Sequence, residues 1–100
     1  MTRAPAPDAP AEVSARVVDA DLASAVGLAP GDVFPRVYAT SRLVALMEVA
    51  AARVLATCLD AGEMSVGVSV DIVHTAATPV GATVTATARF IGRDAKRFVF

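Results

Sequence analysis

The chain has no tryptophan, one tyrosine, one histidine and one cysteine. A lone Cys58 excludes an internal disulfide and a thiolate cluster for zinc. It is expected to be an inert core side chain. Charge is also scarce: nine basic and ten acidic residues are interspersed, with a net charge of −1. Without a basic stripe or interleaved aromatics, nucleic-acid binding is not expected, although a few arginines would suffice for a phosphate. No apolar run reaches the ~20 residues of a membrane span. The stretch from Leu43 to Leu59 is broken by Glu48 and Arg53. Pro5, Pro7 and Pro10 interrupt an N-terminus without an apolar signal core. Together with the single cysteine, this makes a reducing cytoplasm the expected compartment.

What is present is aliphatic. The hydrophobic fraction is 55% and the aromatic fraction 5%, so one domain with a core of Val, Ala and Leu is expected. Residues 1–11 are rich in Ala and Pro and read as a disordered tail ahead of a domain over 12–100. Val13 to Val18 is a candidate first strand, and Ala20 to Leu28 can hold a short helical turn. Ala29-Pro30-Gly31-Asp32 signals a turn. A long helix follows from Arg42 to Leu59, with Thr40 or Ser41 as its N-cap and Gly62 as its stop. It is apolar nearly all round, so burial on most faces is expected.

The remainder alternates with the period of strands. Val66, Val68, Val70 and Ile72 share one face of Ser65 to His74. From Ala82 to Ile91, Val84, Ala86, Ala88 and Phe90 share another. Gly92-Arg93-Asp94-Ala95 reads as a hairpin turn, and Phe98 and Phe100 open a further strand. A long helix followed by an antiparallel meander is an α+β layer design. A sheet wrapped around such a central helix is the hotdog arrangement. The last strand begins only at Phe98, so a C-terminally truncated domain is expected. The exposed sheet edges lead us to expect a homodimer.

Few residues here can carry chemistry. His74 continues the inward register of Val70 and Ile72 and could act as a general base, or be a satisfied core or rim histidine. Glu48 has no basic residue at helical spacing. It is either a buried carboxylate with a tertiary partner or one on a narrow solvent strip. Thr40 could be only a cap, or could use the positive potential of the helix N-terminus as a nucleophile or oxyanion donor. If the helix is regular, Thr40 and Glu48 lie ~12 Å apart along its axis. Cooperation would then need the preceding segment to fold back, or two subunits to share the site. Gly67 marks either a bulge or close packing against the helix, or else close backbone approach to a ligand.

The stretch Phe34-Pro35-Arg36-Val37-Tyr38-Ala39-Thr40, the helix with Leu46-Met47-Glu48, Ser65-Val66-Gly67 and the segment His74-Thr75-Ala76-Ala77-Thr78-Pro79 together resemble the fluoroacetyl-CoA thioesterase family of hotdog proteins. The resemblance runs over about residues 33–100. It implies hydrolysis of a short-chain acyl-CoA thioester without metal or other cofactor. It also implies Thr40, Glu48 and His74 as the catalytic set, Gly67 beside the acyl carbonyl and Phe34 as an aromatic gate. Gly31 stands where the fluoroacetyl-specific enzyme has a second gating Phe, and the family's later strands, with a substrate arginine, fall beyond Phe100. The other readings weighed are a non-catalytic domain that binds acyl-CoA or another small ligand, and a structural dimerisation domain. The polar set of Thr40, Glu48 and His74 argues against the last.

Overall fold

The computed structural model describes residues 3–100. Strand β1 (Pro10–Arg16) pairs antiparallel with β2 (Thr83–Arg89), from Pro10 opposite Arg89 to Arg16 opposite Thr83. The ladder is prolonged at both ends. Val17 N–H donates to Ala82 O at 2.8 Å, and Asp8 N–H donates to Phe90 O at 3.1 Å. Pro10 and Ala11, expected in the tail, belong to β1, and ahead of them Asp8 N–H and Ala9 O both bond to the backbone of Phe90. Residues 1 and 2 lie outside the described residues. Two 3₁₀ turns, Asp19–Asp21 and Ala23–Ala25, lead away from β1.

Helix α1 (Thr40–Leu55) lies across this strand pair and runs into a 3₁₀ turn, Ala56–Cys58. It is rich in strong helix formers. Leu46, Ala50 and Val54 repeat at four-residue spacing and are buried with Leu55. Ala50 and Ala86 share one core cluster with Val13 and Leu46. These two small residues let helix and sheet approach closely. A second cluster joins Val17, Leu22 and Tyr38, with Val84 packed against both. Fully burying a side chain such as Leu22 is worth roughly 1.5–3 kcal/mol. In β2, Val84, Ala86 and Ala88 point inward, and Thr83, Thr85 and Thr87 face solvent, as the alternation predicts. On that outer face Ser14 and Thr85 share a 2.7 Å hydroxyl hydrogen bond.

A short hairpin closes the described chain. Strand β3 (Gly92–Asp94) pairs with β4 (Arg97–Val99), and Asp94 opposes Arg97. The turn is therefore at Ala95 and Lys96 rather than over 92–95, with Ala95 at φ 55. Positive φ is what two-residue hairpin loops require.

Two expectations are corrected. The helix is not buried on most faces: Met47 is 38% and Val49 42% exposed, and Glu48 is exposed. The strand pair covers one side only. The run from Ser65 to His74 forms no ladder, and Val66 and Val68 are 84% and 64% exposed. A strand exists through its partner. Strands β1 and β2 satisfy each other, and no described segment pairs with 65–74.

Candidate active site

Helix α1 begins on an unexpected residue. Its N-cap is Ala39, in extended conformation, and no side chain caps the first turn. Thr40 is already helical, so it is not the cap, and the hydroxyl of Ser41 is not capping either. Freed from that role, Thr40 Oγ1 lies 2.8 Å from His74 Nδ1. His74 is half-buried and Thr40 exposed. Both Arg42 and Leu43 N–H donate to Ala39 O. The amides of Thr40 and Ser41 precede them and have no acceptor within the helix. The hydroxyl–imidazole pair thus stands in the positive potential of a helix N-terminus.

The pairing is held from behind. Tyr38 N–H donates to Thr78 O at 2.8 Å, which ties the segment after His74 to the residues just before Thr40. Tyr38 is buried in the second core cluster, and its hydroxyl donates to Arg42 O at 3.2 Å. Burial, and next the carboxylate of Asp21, push the phenol above its ordinary 10.0, against an opposing pull from Arg42.

Glu48 and Gly67 meet further along the same helix. A Cβ placed on Gly67 would stand 2.5 Å from Glu48 Oε1 and 2.9 Å from its Cδ. Gly67 thus packs against the carboxylate. Glu48 is exposed and, among the described residues, no cation pairs with it. Of the two sequence readings, the solvent-facing one describes this carboxylate. The four polar-site positions fall into two couples, Thr40 with His74 and Glu48 with Gly67, separated by ~12 Å of helix axis.

Beside Thr40 is a surface pocket of about 210 Å³, lined by Ala23, Val26, Phe34, Ala39, Thr40 and Ser41. Phe34 is 49% exposed at its edge. Its lining is apolar apart from the two hydroxyl residues. The loop before Phe34 is braced by Asp32, whose Oδ2 accepts Leu28 N–H and Ala29 N–H, each at 2.9 Å. Sequence reasoning missed Ala23, Val26 and Ser41. The first two reach the pocket only because the 3₁₀ turns fold back on the helix start, which leaves no periodic mark in the sequence.

The profile of the family described as fluoroacetyl-CoA-specific thioesterase matches residues 17–100. A curated fluoroacetyl-CoA thioesterase from Streptantibioticus cattleyicolor is 47% identical over 64 residues, which are 64% of this chain and 46% of that protein. The aligned stretch thus spans under half the length of that relative. Two solved structures are similar over most of this chain. One is a threonine-to-alanine variant of fluoroacetyl-CoA thioesterase in complex with fluoroacetate. It is 33% identical with a TM-score of 0.85, covering 93% of this chain and 71% of that one. The other is a phenylalanine-to-alanine variant in complex with fluoroacetate and CoA, also 33% identical, with a TM-score of 0.86 and coverage of 93% and 76%. This likeness makes the fold the hotdog arrangement expected from the helix and its meander. The profile match takes in the helix, the strand β2 and all of Phe34, Thr40, Glu48, Gly67 and His74, and the chain belongs to the fluoroacetyl-CoA-specific thioesterase family.

Proposed function

We propose that this chain hydrolyses a short-chain acyl-CoA thioester, with Thr40, Glu48 and His74 as its catalytic residues. The observation that carries this reading is the 2.8 Å contact between Thr40 Oγ1 and His74 Nδ1 at the start of α1. In the tautomer that leaves Nδ1 free, the Thr40 hydroxyl donates to His74. As the oxygen attacks the thioester carbonyl, the imidazole takes its proton. The amides of Thr40 and Ser41 are suited to the negative charge that develops on the carbonyl oxygen. The C–S bond then breaks, and the coenzyme A thiolate leaves with the proton held by His74. Water, deprotonated by the same imidazole, cleaves the acyl-threonine and restores the hydroxyl. Phe34 and the apolar pocket receive the acyl group. The residues altered in the two solved relatives, a Thr and a Phe, have the same spacing as Phe34 and Thr40 here.

Glu48 lies too far along the helix to touch the same carbonyl as Thr40 of its own chain. A homodimer that sets a second helix beside the first brings one chain's carboxylate to the other chain's hydroxyl. The unpaired, valine-rich run from Val66 to Val70 supports such an assembly, because an exposed edge invites pairing with its own copy. There Glu48 would orient water, and Gly67 would leave space beside the acyl carbonyl. The reading calls on no metal or other cofactor. A buried, free Cys58 suits a reducing cytoplasm.

Thiol release from a panel of short acyl-CoAs tests this. His74→Ala and Thr40→Val are expected to lower kcat by ~10²–10⁴-fold, the range for losing a general base or its partner. Unchanged turnover in His74→Ala would remove the imidazole from the mechanism. Acyl-CoA binding with no turnover by the unmodified chain would instead favour a non-catalytic binding domain.

A further inference from the structure

Asp21 has no place in the catalytic set, yet its bonds surround Thr40. Its carbonyl oxygen accepts Ala39 N–H at 2.9 Å. Its Oδ1 accepts Arg42 Nε–H at 3.1 Å. Ala39 is the N-cap of α1 and Arg42 lies in its first turn, so the two bonds grip the helix on either side of Thr40. The other carboxylate oxygen, Oδ2, accepts Val18 N–H at 3.0 Å. Val18 follows Val17, which is bonded to both Gly81 and Ala82. Through one residue, the start of the helix is fastened to the end of the β1–β2 ladder.

The carboxylate is not an ordinary surface partner. The Asp21 side chain is 13% exposed against 53% for Arg42. Exposed ion pairs are loose and screened by salt. A largely covered carboxylate with two donors in fixed places is held far more firmly, and breaking it strands a shielded charge. Arg42 is also fastened at its carbonyl by the Tyr38 hydroxyl, and Tyr38 N–H holds Thr78 beyond His74. Asp21, Arg42 and Tyr38 thus fix the backbone on which both members of the hydroxyl–imidazole pair depend.

We infer that Asp21 is a positioning residue for acyl transfer: by gripping Ala39 and Arg42 it sets the first turn of α1 so that Thr40 Oγ1 meets His74 Nδ1. The inference rests on the reading of Thr40 as the attacking group, and its direct observable is the Thr40–His74 bond itself. Misplacement of a reacting group by about 1 Å can cost about 10²-fold in rate.

His74 is the only histidine, so its ring nitrogens can be followed by ¹⁵N NMR without ambiguity. In Asp21→Ala the His74 ring shifts are expected to move to those of Thr40→Val. The value of kcat should fall by about 10–100-fold with KM changed little, the pattern of an interaction needed in the transition state. Arg42→Ala should move both readouts the same way by less, since it spares the Val18 bond, while the Ala39 bond to the backbone carbonyl of Asp21 survives in both variants. Asp21→Asn should retain part of the kcat and of the His74 shifts lost in Asp21→Ala, because an amide oxygen still accepts from Val18. Two results would overturn the inference: a folded Asp21→Ala with the His74 shifts and kcat of the unmodified chain, or a loss of kcat and Tm with unmoved His74 shifts, which marks a structural role alone. If Asp21→Ala does not fold, Arg42→Ala decides by the same criteria. If the unmodified chain turns over no acyl-CoA, the thioesterase reading fails, and the His74 shifts still judge the positioning.

Discussion

Gly67 and Glu48 occupy each other's space: the position a Cβ would take on Gly67 is 2.5 Å from the carboxylate oxygen of Glu48. The backbone of Gly67 is outside the left-handed region occupied by Gly62, Gly81 and Gly92. Its glycine therefore answers a need for closeness rather than for conformation. Gly67→Ala is expected to fold normally, with a stability change within ~1 kcal/mol, since the collision meets the mobile end of a side chain and alanine restricts the unfolded chain. The carboxylate must swing aside, and kcat should drop. Melting curves and thiol-release rates on the same preparation check this. Full activity would detach Gly67 from the site.

Glu48→Gln separates chemistry from stability at the neighbouring position. The side chain is exposed, so the substitution should leave stability within ~0.5 kcal/mol. Activity should fall by about 10²-fold, as for loss of a catalytic carboxylate. A large drop in Tm with intact specific activity would show a structural carboxylate instead.

The valine run provides a test of assembly. Val68 is 64% exposed, and Val68→Lys places a charge on an edge that has no partner in the described chain. Light scattering should show the unmodified chain as a dimer and the variant shifted toward monomer, with the circular dichroism of both alike. An unaltered dimer would locate the interface elsewhere.

Tyr38 is the only tyrosine, so tyrosinate absorbance reports on it alone. Its midpoint should lie above 10.0 in the folded chain and move down toward that value in Asp21→Ala, though not all the way, because burial is the larger cause. The sign for stability follows from linkage. The folded state holds this proton more tightly than the unfolded state, so the contribution is present below about pH 10 and lost as pH rises through the raised pKa. Chemical denaturation at stepped alkaline pH measures that decline.

How far the sequence could be read depended on whether a feature is local. The period of α1 and the alternation of Val84, Ala86, Ala88 and Phe90 come from single elements, and both are in place. The run from Val66 to Ile72 has an equally clean alternation but forms no strand, because a ladder is a property of two segments and pattern describes one. Thr40 shows the same limit at a site. A hydroxyl at a helix start is locally indistinguishable from a cap, and only the arrival of His74 from 34 residues away gives it another partner. Asp21 gave no signal at all, since one acidic residue in a turn is the commonest of surface features.

The two couples along α1 resemble rungs between two rails. One rail is the helix from Thr40 to Glu48, and the other is the segment from Gly67 to His74, running in the opposite sense. Substitutions on either rail can be absorbed by a neighbouring side chain. A change of length cannot: inserting one residue between 40 and 48 turns the later rung about 100° around the helix, while an insertion between 67 and 74 leaves one rung in place and offsets the other. Relatives that keep this chemistry should therefore vary freely in the identity of the intervening residues and hardly at all in their number, and insertions should collect outside both intervals.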